Sequence, residues 1–156
     1  MYLLFKLLHV VFAIAFLGNI AGGLFWHMLA ARTRDPRVLA FVMDGIIRSD
    51  RLFTNPGAIG IVLTGFAAAG IGRQPILGTP WILWSIVLFT ISGLIFGFRL
   101  VPLQRKLRAL AEEGARGGEF DYARYRALAF RWEVWGAFAT LTPLAGLVLM
   151  VLKPGE

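Results

Sequence analysis

The chain has 156 residues, 58% of them hydrophobic and only 16% charged, with a mean hydropathy of +0.70. A soluble domain carries about 25% charged residues, so composition excludes an ordinary soluble protein. The absence of cysteine excludes disulfides, thiolate metal sites and cysteine nucleophiles.

The first apolar run, 7–31, has no formal charge in 25 positions. It is too long for the hydrophobic core of a signal peptide, about 7–15 residues, and no basic stretch precedes it. It is therefore expected to be a retained membrane helix spanning about 3–31. The next segment is polar. Asp35 before Pro36 is a helix start, with a capping side chain and then proline at the first helical position. Asp44 and Arg48 are four apart and able to pair on one helix face. An amphipathic cytoplasmic helix over 36–53 is expected, its leucines and phenylalanines lying on the membrane surface. Thr54 or Asn55 before Pro56 starts the second membrane helix, 56–72, at a kink.

The third membrane helix is expected over 80–100 and the fourth over 133–152. Runs of this length suit the roughly 30 Å hydrocarbon core of a bilayer, and they show no strand alternation. Between them the charged stretch 99–133 reads as two helical extensions. Gly114, Gly117 and Gly118 end the first, and Asp121 caps the second. Pro143 removes a backbone donor inside helix four and is expected to kink it, with Thr140 and Thr142 satisfying the freed carbonyls. The fold class is all-α: one domain, 1–156, an integral membrane four-helix bundle with cytoplasmic helical extensions.

The net charge of +7 is unevenly placed. Segment 32–55 holds five arginines and segment 99–133 holds eight of the other Lys and Arg residues, so both fall on one side of a four-span protein. The positive-inside rule puts them in the cytoplasm and both termini in the periplasm of a bacterial inner membrane. Trp81 and Trp84 would mark the outer interface, and Trp26, Trp132 and Trp135 the inner one. The lipid bilayer, with its anionic headgroups, is the expected partner, and nucleic acid is not.

Small residues recur at every fourth position: Gly18 and Gly22 in helix one, Gly60, Thr64, Ala68 and Gly72 in helix two, Gly93 and Gly97 in helix three. Such spacing lets backbones approach closely in lipid. These are expected to be contacts within the bundle, with a homodimer seam as the sharper alternative.

The residues with chemistry are few. His9 and His27 are 18 apart and share a helix face. His27, beside Trp26, is expected at the cytoplasmic interface within reach of water. His9 lies one turn past Lys6, inside the membrane, where ionisable residues mark function. Three roles stay open for it: axial haem ligand, proton relay, or hydrogen bond to a neighbouring helix. A mixed haem site needs a second donor, and Met150, near the outer end of helix four, is the sulfur candidate. Asn19 reads as an interhelical hydrogen bond. The carboxylates, all but Glu156 in the two cytoplasmic segments, offer no catalytic pair. No phosphate loop, metal-spaced cluster or nucleophile elbow is present.

The pieces "LLFKLLHVVFAIAFLGN", "DRLFTNPG", "TPWILWSIVLF", "LVPLQRKL" and "WGAFATLTPLAGLVLMVLKP" resemble, in order and over nearly the full length, a bacterial family described as predicted integral membrane proteins, a domain of unknown function. That resemblance implies a four-helix inner-membrane protein. The opening is also similar to the membrane protoporphyrinogen oxidases of the HemJ type and the CopD copper-resistance proteins. The HemJ likeness implies that His9 is a haem ligand; that group's lysine in a later helix has no counterpart in helices two or three.

The expected function is a small inner-membrane protein that binds haem b, an iron cofactor, through His9, with Met150 as candidate second donor, and is redox-active. The alternative is a cofactor-free scaffold or assembly partner acting through the basic cytoplasmic hairpin. The sequence names no redox or assembly partner, and leaves enzymatic activity open.

Overall fold

The computed structural model describes residues 1–154, and all regular structure among them is helical. Helix α1 runs Tyr2–Thr33, α2 Pro36–Ser49, α3 Asn55–Ile71, α4 Pro80–Ile95, α5 Val101–Ala115 and α6 Tyr122–Leu152. Four continuous helical rods are long and apolar enough to cross a membrane: Tyr2–Thr33, Pro36–Ile71, Pro80–Ala115 and Tyr122–Leu152.

Two of those rods join helices that sequence reading separates. Between α2 and α3, and again between α4 and α5, the backbone continues through one π-helical turn, Asp50–Thr54 and Phe96–Leu100. The amides of Asn55 and Val101 bond back five residues, to the carbonyls of Asp50 and Phe96. Each turn lies just ahead of a proline, Pro56 or Pro102. Proline offers no N–H, and its ring crowds the carbonyl four residues earlier. That carbonyl belongs to Leu52 or Phe98, inside the widened turn, so the same cause acts twice.

The spans pack as two pairs. α1 lies along α3 and α4 along α6, while α3 makes no close backbone approach to α4 or α6 among the described residues. The pairs are joined at one end, the base, where α2 packs on α5 and the last turns of α1 meet the first turns of α6. Small residues set the α1–α3 distance: a Cβ on Gly60 would come within 2.5 Å of the Phe12 ring, and one on Gly57 within 3.3 Å of Phe16. The other stripes differ from expectation. Gly18, Gly22, Gly93 and Gly97 have nothing within 4 Å of an added Cβ, so they are not seams of this chain.

The main core lies at the base. Leu39 and Met43 of α2, Leu107 and Ala111 of α5, and Tyr125 and Ala129 of α6 are all 0% exposed. The apolar face of α2 is therefore packed on protein instead of resting on the membrane surface. An amphipathic stripe meets either environment equally well, which is why its sequence did not distinguish them. Asp35 and Asp121 cap α2 and α6 through the amides of Arg37 and Arg124, and Asp44 pairs with Arg48, as their spacing suggests, and also with Arg108 of α5 at 3.2 Å.

Proline 143 is accommodated differently from expectation. Its missing N–H frees the carbonyl of Ala139, and the hydroxyl of Ser92 on α4 donates to that oxygen at 2.6 Å. Thr140 and Thr142 bond to Gly136 and Phe138. The proline defect thus ties α6 to α4.

Candidate functional site

A cavity of about 100 Å³ lies where the two helix pairs separate above the base. Its walls are largely apolar and aromatic, with Phe16 of α1, Phe89 of α4, Phe96 of the second π turn and Trp132 of α6 among them. Phe16 and Phe89 approach to 5.5 Å between ring centroids and bridge the pairs.

One wall is polar, and three elements build it. The first π turn places Asp50 and Thr54 one above the other, and the Thr54 hydroxyl donates to Asp50 Oδ1 at 2.7 Å. From α1, the Asn19 amide donates to Thr54 Oγ1 at 2.8 Å and to Asp50 Oδ1 at 3.2 Å. Just past the second π turn, Gln104 of α5 donates to Asp50 Oδ2 at 2.8 Å. Asp50 is 7% exposed and Gln104 4%. Asn19, Asp50, Thr54 and Gln104 all line the cavity.

Counting from Lys6 at 1.5 Å per residue, Asn19 lies about 20 Å along α1, within the depth of a roughly 30 Å hydrocarbon core. Asp50 shares that level. Sequence reading assigned Asp50 to the cytoplasmic segment because Arg48 and Arg51 flank it. The continuous rod instead carries it against Asn19. No Lys, Arg or His forms an ion pair with Asp50 among the described residues. Every one of its three partners is neutral. The expected interhelical role of Asn19 matches the structure, and its partner is the acid.

His27 departs from expectation. It is 0% exposed, covered by the base portion of α6. Its Nε2 lies 3.1 Å from the Tyr125 hydroxyl, its Nδ1 lies 3.6 Å from Glu133, and the Trp132 ring packs edge-on at 5.0 Å. Trp132, 6% exposed, is therefore a core residue and not part of an interfacial belt. Trp26 and Trp84 are well exposed.

His9 faces α3. Its Nδ1 donates to the Ile61 carbonyl at 2.9 Å, with the Thr64 hydroxyl 3.3 Å away. Gly65 leaves room for the ring, since a Cβ there would stand 3.0 Å from His9 Cε1. Of the three roles left open, the interhelical hydrogen bond is present, and Nε2 makes no hydrogen bond to the described residues. Met150 sits near the end of α6, which packs along α4 and also meets α1. No group of three or more His, Asp or Glu side chains suited to a metal occurs among the described residues.

A family model described as "predicted integral membrane protein (DUF2269)" matches residues 3–154. The chain belongs to the DUF2269 family. No curated protein and no solved structure matches the chain, so the comparisons return neither HemJ-type oxidases nor CopD proteins. For this DUF2269 protein, membrane integration through four helices rests on both the family and the fold. The contact with lipid follows from it. The exposed Leu, Ile, Val and Phe side chains of the four rods are the surface such contact requires.

Proposed function

We propose that this DUF2269 protein binds a small ligand within the membrane, in the cavity between its helix pairs, with Asp50 as the polar anchor. One observation carries the reading: a carboxyl group at membrane depth, on a cavity wall, held by three neutral donors and without a cation. Ionisable groups in such places are costly and mark ligand, ion or proton sites. The test is chemical labelling in native membranes with a hydrophobic carbodiimide, which modifies carboxyl groups it can reach. Asp50 is expected to be modified, and Gly136→Leu, which starts a side chain on the cavity wall facing Leu100, is expected to block the modification. A folded wild-type protein in which Asp50 stays unmodified overturns the reading.

A second reading retains haem b at His9. Its support is the Nδ1–H bond to the Ile61 carbonyl, which orients the ring and leaves Nε2 as a donor, the arrangement that metal-bound histidines generally use. The second donor would be Met150 or a group from a second copy of the chain. Purified protein from haem-replete cells should then show a Soret band that His9→Ala abolishes and His27→Ala retains. Colourless protein that takes up no added hemin removes this reading.

A further inference from the structure

Resting on the cavity reading, we infer that the ligand is a small organic cation, an alkylammonium, that enters from the lipid side. The polarity of the cluster decides the charge. Asn19 spends both of its amide N–H groups on Asp50 and Thr54, Gln104 spends one of its two on Asp50, and Thr54 spends its O–H on Asp50. Among the described residues, the carbonyl oxygens of Asn19 and Gln104 accept no hydrogen bond. What the polar wall has to give is therefore chiefly acceptor capacity: one carboxyl group and two amide carbonyls, against one amide N–H of Gln104 and the indole N–H of Trp132. A ligand that only accepts, such as a quinone or an anion, leaves the carboxyl group without a counter-charge. A ligand with N–H groups and a positive charge meets the open acceptors and supplies that counter-charge.

The remaining walls fit the rest of such a molecule. Phe16, Phe89, Phe96 and Trp132 surround the space with aromatic carbon, and aromatic faces attract cations that have lost water. A hydrated metal ion is poorly served by such walls. Size narrows the choice further. The cavity of about 100 Å³ is roughly two-thirds of the ~150 Å³ that admits benzene in an apolar site. That suits an amine smaller than benzene, of about two carbons.

The entry follows from one residue. Gly93 lines the cavity, is exposed on the outside of α4, and has nothing within 4 Å of an added Cβ. The wall there is open towards the lipid. An alkylammonium that partitions into the bilayer reaches Asp50 by this side without passing the buried base.

The experiment uses ethylammonium and its neutral isostere ethanol on the full-length protein in native membranes. The first readout is protection of Asp50 from the hydrophobic carbodiimide. The second is calorimetric binding to the detergent-solubilised protein. Ethylammonium is expected to protect and to bind saturably, whereas ethanol and sodium at the same concentration do neither. Asp50→Asn should weaken binding roughly 30-fold or more. Gly136→Leu, which leaves the acid in place and starts a side chain on the cavity wall facing Leu100, should abolish it. If Asp50 is labelled but ethanol or sodium protects as well as the ammonium, or none of the three protects, the cation inference is overturned and the cavity reading stands. If Asp50 is never labelled, the cavity reading itself fails.

Discussion

Replacing Gly60 with alanine tests the seam that holds α1 to α3. The new Cβ would stand 2.5, 2.5 and 2.6 Å from Cδ1, Cγ and Cδ2 of Phe12. Carbon atoms pack best at about 3.5–4.0 Å, so the contact is short by about 1 Å. Turning the ring about its own axis gives no relief, because Cγ lies on that axis. Phe12 must leave its rotamer or the helices must part, and overpacking of this kind costs ~1–3 kcal/mol. Alanine recovers up to ~1 kcal/mol over glycine in helix propensity. A net destabilisation of up to ~2 kcal/mol against the wild type follows, and of ~1–3 kcal/mol against a control that keeps only the propensity gain. Gly18→Ala is the control, since nothing lies within 4 Å of its Cβ; only the propensity gain remains there. The measurement is equilibrium unfolding of both variants by SDS titration in mixed micelles. A Gly60→Ala protein as stable as Gly18→Ala would refute the close α1–α3 approach.

The Ser92–Ala139 bond should appear in a double-mutant cycle. Ser92→Ala leaves a buried carbonyl without a donor, at ~1–3 kcal/mol, but in a Pro143→Ala background, where residue 143 regains its N–H, unfolding titrations should show a smaller cost; equal costs in both would sink the pairing. Leu39→Ala should cost ~2–5 kcal/mol in the same assay, as befits a core position, and an effect below ~0.5 kcal/mol would return α2 to the membrane surface. A reporter joined to the C-terminus should be active in the periplasm, as the basic residues of 32–55 and 99–133 imply; cytoplasmic activity would invert the proposed orientation.

Much of the fold was legible because the governing signals are local. The apolar runs, the capping aspartates Asp35 and Asp121, and the Asp44–Arg48 pair each depend on residues within a few positions of one another. The α1–α3 seam was legible too, through the spacing of Gly60 and Thr64. The candidate site was not, since its members Asn19, Asp50 and Gln104 come from three separate helical segments. Asp50 sits between arginines that belong in water, and charge counting moves it there with them. The signal that would have recovered it is the proline two residues beyond each π turn. Read as a helix start, Pro56 separates Asp50 from the membrane; read as a defect within one continuous rod, it carries Asp50 in. His27 was misjudged for a related reason. Its cover, Tyr125 and Trp132, arrives about a hundred residues later, from a helix whose charged surface hides how much of it is core.

The π turn at Asp50–Thr54 also makes chain length a determinant of the fold. It inserts one residue into a helical count without ending the helix, and so offsets the two halves of the rod by about 100°. On one side of the offset, Leu39 and Met43 must face α5; on the other, Gly57 and Gly60 must face α1. A chain one residue shorter there would preserve every side chain of both faces and still be unable to satisfy both at once. What this segment has to conserve is its number of residues as much as their identity.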